Sequence, residues 1–332
     1  MVDLPDALRA ALLTETAGMP RKQLVAATQR LIGQYRSGSA PGAPILASAT
    51  DAAAYAAYRM PATYAAIRGA LAEAARSAPD FAPRTQLDIG GGTGAALWAA
   101  AAVFPTLTGS TVVEQSASAT AVGRRLAGAA PWPAVRSATW LAGTLAQHAV
   151  LPGADLVTAA YLLTELGEAE QRGLVDRMAA AGQVVVLVEP GTPAGFQRVA
   201  AARRRLTDAG LHVLAPCPHG NACPLAESTA AGDWCHFAAR VNRSAEHRQL
   251  KEASLGHEDE KFSYLVAARF TGRPGAGRVL RHPVQRKGQV LLQVCGQDGT
   301  VARTLVTKRH GRDYQRARKV RWGDAWPPPD GD

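Results

Sequence analysis

Apolar positions keep helical spacing at the start of the chain and change to strand-like runs from residue 85. Leu24, Val25, Leu31, Ile32 and Tyr35 recur as on one helix face, so residues 3–15 and 21–36 are predicted to be amphipathic helices. SGSAPGAP (37–44) reads as a loop. An Ala-rich helical stretch then runs from about 50 to 77, with an interruption expected at Pro61, which lacks the N–H a helix needs. Tyr55, Tyr58, Arg59 and Tyr64 gather around that proline. Aromatics beside an arginine can stack on RNA bases; packing of a kinked helix explains them without a ligand.

From residue 85, TQLDI (85–89), STVVE (110–114), DLVTAA (155–160), QVVVLVE (183–189) and LHVLA (211–215) have the character of strands. Helical segments lie between them, at 95–104, up to Arg124, at 168–181 and at 193–208. Such alternation implies a parallel sheet covered on both faces. FSYLVAARF (262–270) is one more strand, reached after a 46-residue excursion. Residues 278–322 alternate β-like runs with turns, as a small β-rich unit would. The organisation expected is an N-terminal helical region (1–80), an α/β domain (81–270) with an insertion at 216–261, and a basic β-rich unit (271–326).

Composition narrows the class. Hydrophobic residues are 47% of the 332 and charged residues 19%, a balance that suits an ordered globular protein. No apolar run is long enough to span a bilayer. MVDLPDALRA carries acids where a secretory leader has a basic n-region. The expected location is therefore the cytoplasm, with no membrane partner and no oligomer implied. Reducing conditions there argue against structural disulfides among the four cysteines. The net charge of +10 is concentrated: residues 270–326 hold 13 Lys and Arg against three Asp. A basic segment from Arg273 to Arg321 points to a polyanion such as RNA, with Tyr314 and Trp322 available for stacking or for a core. A solvated basic face without a partner is the alternative.

Asp88, Ile89, Gly90, Gly91, Gly92, Thr93 and Gly94 stand where the first strand meets the first helix. Glycines allow a tight turn and a close approach of ligand to backbone. Glu114 ends the second strand, twenty residues after Gly94, where a carboxylate can accept hydrogen bonds from ribose hydroxyls. Gly90-x-Gly92-x-x-Ala95 also fits a dinucleotide fingerprint, but a pyrophosphate gains nothing from a carboxylate so close. The D-x-G-x-G-x-G form resembles motif I of class I methyltransferases and implies S-adenosylmethionine, with Asp88 near its amino-acid end. The late strand also suits the methyltransferase sheet, in which a seventh strand inserts beside the fifth. The candidate cofactor residues are Asp88, Gly90, Gly91, Gly92, Gly94, Glu114 and, after the fourth strand, Tyr161. Residues 159–166 lack the N/D-P-P-aromatic motif of amino-group methyltransferases, and no catalytic base is evident. Pro216-Cys217 has the form of a cysteine nucleophile but follows the sixth strand, not the fourth. Glu189, Pro190 and Gly191 close the fifth strand, either lining the pocket or capping the strand.

The cysteines are spaced Cys217-x5-Cys223-x11-Cys235-x59-Cys295. The first gap is wider than the C-x2–4-C of zinc modules, whereas iron–sulfur clusters draw four thiolates from diverse loops. His212, His219, His236 and His247 are alternative ligands for zinc. Four unrelated buried thiols is the other reading.

APCPHGNACPL (215–225), WCHF (234–237), EDEKFSYL (258–265) and the neighbourhood of Tyr58 to Pro61 carry a family resemblance. With the motif-I glycines, the sequence resembles the methyltransferase-like family that assembles the mitochondrial small ribosomal subunit, as a bacterial member, over roughly residues 50–323. The resemblance implies a class I methyltransferase fold, association with small-subunit ribosomal RNA, and a 4Fe–4S cluster. Its ligands would be Cys217, Cys223, Cys235 and Cys295, with zinc as the fallback. The implied function is an S-adenosylmethionine-dependent rRNA methyltransferase or a methyltransferase-like assembly factor. The alternative is a non-catalytic RNA-binding assembly protein whose cofactor pocket is structural. A small-molecule methyltransferase suits the basic tail less well. For Glu258, Asp259 and Glu260, a salt-bridged turn is expected rather than acid–base chemistry.

Overall fold

The structure is a computed structural model that describes residues 2–37, 46, 48–148, 150–226, 232–251 and 254–328. The loop expected at 37–44 lies outside the described residues apart from Ser37, which ends a helix. Two helices, α1 (Asp6–Ala17) and α2 (Arg21–Ser37), precede the 29-residue α3 (Ala49–Ser77). Ser48 caps α3: its hydroxyl accepts from the Asp51 N–H at 3.1 Å, and the Asp51 carboxylate accepts from the Ser48 N–H at 3.1 Å. The helix runs through Pro61 without a break, contrary to the expected interruption. An interior proline costs about 3 kcal/mol, and burial of Met60, Tyr64, Ile67 and Leu71 around it offsets that cost. Tyr58 and Tyr64 are themselves buried, so they are packing residues rather than an RNA platform.

The central sheet is built from β1 (Thr85–Ile89), β2 (Gly109–Glu114), β3 (Thr139–Ala142), β4 (Ala154–Ala160), β5 (Gly182–Pro190), β6 (His212–Ala215), β7 (Phe237–Asn242) and β8 (His257–Ala268). Their order is β3-β2-β1-β4-β5-β8-β6, with β7 paired beside β6 to the first half of β8. Strands β1 to β5 are parallel, and β8 runs antiparallel between β5 and β6. A late antiparallel strand inserted between the fifth and sixth defines the class I methyltransferase-like Rossmann sheet, so the expected fold class holds. Helices α4 (Ala95–Val103), α5 (Ala117–Gly128) and α6 (Pro133–Arg136) lie with α3 over one face of the sheet. On the other face are α7 (Glu168–Ala181) and α8 (Pro193–Asp208). Within the excursion, β7 is followed by α9 (Ala245–Leu250).

The C-terminal unit is a second sheet of β9 (Gly277–Val279), β10 (Val284–Arg286), β11 (Gln289–Gly296) and β12 (Val301–Thr307), followed by α10 (Arg312–Ala317). Tyr314 packs with Val290, Leu292 and Val306 in its core and is not a stacking platform. Trp322 lies edge-on to His236 and His282. Arg278 ties the unit to the rest of the molecule. Its guanidinium donates to Glu73 Oε2 at 2.8 Å and to the carbonyls of Pro216 (2.9 Å) and Gly323 (2.6 Å).

Candidate functional site

Parallel pairing of β1 with β2 sets Ile89 beside Val113, and the Gly90 N–H continues the ladder to the Val113 carbonyl at 2.8 Å. The chain then turns back with φ of 65° at Gly90, 55° at Gly92 and 90° at Gly94, a region that favours glycine. At Gly91 a Cβ would stand 2.5 Å from Val112 Cγ1 and 2.7 Å from Asp88 Oδ2, so the turn is closed inward. At Gly92 no atom lies within 4 Å of the position a Cβ would take, so it is open outward. Gly94 caps α4, whose first N–H groups face the turn without helical partners.

Carboxylates surround this turn at the ends of the parallel strands. Asp88 is buried; its Oδ1 accepts from the Thr158 hydroxyl at 2.7 Å, and its Oδ2 has no partner among the described residues. Burial, with Glu114 adding repulsion, pushes the Asp88 carboxyl up to about 7. Glu114 accepts from the Gly92 N–H at 2.8 Å and the Ser116 N–H at 2.7 Å, and burial raises it as well. Glu189, at the end of β5, accepts from the Leu163 N–H and from Arg198, each at 2.9 Å, and burial brings it to about 7. Glu165 is likewise raised to about 7, by burial and then by Glu114 and Glu189.

Tyr161 follows β4 and is the one non-glycine with positive φ (59°) among the described residues. Its N–H bonds to the Val188 carbonyl at 2.7 Å, and its hydroxyl donates to Glu260 Oε1 at 2.9 Å. Arg59 sits 4.7 Å over the Tyr161 ring and makes a two-bonded pair with Glu260 at 2.9 and 2.8 Å. This network joins α3, the end of β4, and β8. Sequence reasoning named all three residues but did not connect them. The acid run at 258–260 is salt-bridged as expected, but on strand β8 rather than on a turn. Asp259 pairs with Arg240, and Glu258 with Arg243 and Lys251.

Cys217, Cys223 and Cys235 line one pocket with Phe196, Phe237 and Leu265, and Cys295 packs at its wall with Phe196 and Ala200. Cys295 Sγ lies 3.4 Å from His219 Nε2. Burial, with repulsion among the neighbouring thiols, raises Cys217 and Cys235 and takes Cys295 up to about 12. Arg203, beside them, donates to the carbonyls of His219 (3.0 Å) and Asn221 (2.6 Å). Among the described residues, no group of three or more His, Cys, Asp or Glu side chains is placed to hold a metal ion. The expected 4Fe–4S cluster on Cys217, Cys223, Cys235 and Cys295, and the zinc fallback, are overturned on that ground.

Residues 49–327 match the family described as mitochondrial small ribosomal subunit Rsm22. The human mitochondrial ribosome assembly protein METTL17 is 30% identical over 305 residues, covering 82% of this chain and 62% of that protein. The mitochondrial Rsm22-cox11 tandem protein 2 of Schizosaccharomyces pombe is 28% identical over 185 residues, covering 44% of this chain and 25% of that protein. The chain thus spans about 62% of the human relative's length and about a quarter of the fission yeast one's. The magnesium protoporphyrin IX methyltransferase of Synechocystis aligns with a TM-score of 0.41 at 12% identity, over 72% of this chain and 94% of that one. The relatives are mitochondrial proteins, which corrects two expectations, that of a bacterial member and that of a cytoplasmic location. Among the described residues, no helix is long and apolar enough to cross a membrane.

Proposed function

Because the chain belongs to the mitochondrial small ribosomal subunit Rsm22 family, we propose that it binds S-adenosylmethionine at the turn after β1 and works in small-subunit assembly with ribosomal RNA as its partner. The observation that carries the cofactor reading is Asp88, a buried carboxylate with one oxygen unpartnered among the described residues, packed against Gly91 in a turn that opens outward at Gly92. Buried polar groups are rarely left unpaired, and the ammonium of an amino-acid moiety suits this one. Glu114 uses one acceptor site of each oxygen on backbone N–H groups, and a carboxylate has about four. It retains capacity for ribose hydroxyls. Gly90, Gly91, Gly92 and Gly94 keep the backbone close, and Tyr161 borders the pocket at the next strand end. S-adenosylmethionine supplies an electrophilic methyl group when bound. The residues of this chain orient it and exclude water around it. Two relatives named as ribosome assembly proteins support the assembly reading.

One observation favours a second reading, a cofactor pocket without catalysis. Glu260 is taken up by Arg59 and Tyr161, and Glu189 by Leu163 and Arg198, so neither stands free as a proton acceptor. Incubating purified protein with methyl-labelled S-adenosylmethionine and small-subunit ribosomal RNA separates the two. Label in the RNA establishes transfer. Cofactor and RNA binding without label establishes the non-catalytic reading. Cofactor binding without RNA retention returns the protein to small-molecule chemistry and ends both.

A further inference from the structure

The two faces of the C-terminal sheet have different surroundings. Val290, Leu292, Val294 and Val306 point inward and pack with α10. The alternate residues point outward, because neighbouring side chains on a strand take opposite faces. Strand pairing sets Val284 beside Leu291 and Leu291 beside Leu305, so three aliphatic side chains form one row across β10, β11 and β12. Val284 is 47% exposed and Leu305 51%, the one place where two large exposed apolar side chains share a described sheet face.

The rows on either side carry positive charge. Arg286 pairs with Gln289 on one side, and Gln293 pairs with Arg303 on the other. Both arginines are exposed. The Lys308 N–H donates to the Gly288 carbonyl at 3.1 Å, which brings exposed Lys308 and Arg309 to the same end as exposed Lys287. The three acids of the unit lie elsewhere. Asp298 is bound to Thr300 in the turn at the far end, Asp313 is on α10, and Asp324 accepts from the Arg321 N–H. Among the described residues, the cysteine-bearing segment meets this sheet through His219 against Cys295 and Asp233 against Gln293.

We infer that this outer face binds single-stranded RNA, with bases over the Val284–Leu291–Leu305 row and phosphates held by Arg286, Arg303, Lys287 and Lys308. The inference rests on the reading of the chain as an RNA partner and deepens it by placing the RNA. An aliphatic row whose flanking rows each carry an exposed arginine suits a polyanion with apolar faces. Bases can reach such a row only when unstacked from a duplex, and guanidinium planes stack on them. Two strand spacings span about 10 Å, room for about two or three bases.

The test is fluorescence anisotropy of the full chain with a labelled ten-nucleotide oligouridine and with an RNA duplex of equal length. Val284→Ser with Leu305→Ser, both at exposed positions, is expected to weaken oligouridine binding roughly tenfold while leaving the salt slope unchanged. Arg286→Gln with Arg303→Gln is expected to flatten the log–log salt slope by about 1.4, at about 0.7 per phosphate. Thermal melting checks that both variants keep the wild-type fold. Wild-type affinity in the serine variant, or tighter binding of the duplex, overturns the inference. So does a chain that binds no RNA yet sediments with isolated small subunits, in which case the face docks protein and the assembly reading survives. If the chain retains neither RNA nor subunits, the inference and the assembly reading both fall.

Discussion

The turn after β1 and the pocket behind Pro216 are both lined by groups that burial drives toward the protonated form. At the first, the glycine turn is open at Gly92, and one Asp88 oxygen, packed against Gly91, has no partner among the described residues. Around the cysteines, Phe196, Phe237 and Leu265 close in, Arg203 donates to backbone carbonyls, and Arg278 donates to carbonyls and to Glu73. A thiol is at ease among apolar side chains; an unpaired carboxylate is not. Similar burial therefore has opposite meanings. It supports the ligand site proposed at the first and marks the second as a joint between the Rossmann sheet and the C-terminal unit.

The joint is tested most severely at Arg278. Arg278→Ala leaves Glu73 paired with Arg76 alone and takes the donor from the carbonyls of Pro216 and Gly323, which costs about 1–3 kcal/mol for each group left unsatisfied. Urea unfolding measures it, and a loss below about 1 kcal/mol would show that the second pocket is not held from that side. The next largest effect belongs to Asp88. Its carboxyl stands near 7 in the fold against an ordinary 3.8, so the folded state holds the proton more tightly. This contribution to stability is full below pH 3.8 and is lost as pH rises through about 7. Asp88→Asn should flatten the stability profile between those limits, by up to about 4 kcal/mol. An unchanged profile would mean that Asp88 is not buried as a lone carboxylate. Cys223 should respond least: for this half-buried thiol, Cys223→Ala should change the unfolding free energy by less than about 1 kcal/mol. A loss of several kcal/mol would give that thiol a role beyond packing and erase the contrast between the pockets.

The part of this contrast carried by neighbouring residues was readable in the sequence. The glycine turn, Asp88 and Glu114 sit at strand ends whose apolar runs are plain, and backbone pairing then places them. The sheet's late antiparallel strand was readable for the same reason, although β8 begins at His257 rather than at residue 262. β3 has only four residues, too few to show a period, and β7 lies in a stretch dominated by its prolines and cysteines. Pro61 misled because local propensity says nothing about the burial that holds α3 straight. The Arg59–Glu260–Tyr161 network joins positions 201 and 99 residues apart, which no local pattern records. Cysteine spacing gave the path of a loop but not whether its thiols converge on a common centre. The mitochondrial setting of the relatives leaves no mark in composition or charge.

Calorimetric titration tests most directly whether the turn after β1 is a ligand site. S-adenosylmethionine or its demethylated product should bind the wild-type chain at one site and in preference to NAD. Gly92→Arg should abolish binding, since the side chain enters the open space at Gly92 and strains a backbone with φ of 55°. Equal binding by the variant, or a preference for NAD, would contradict the assignment.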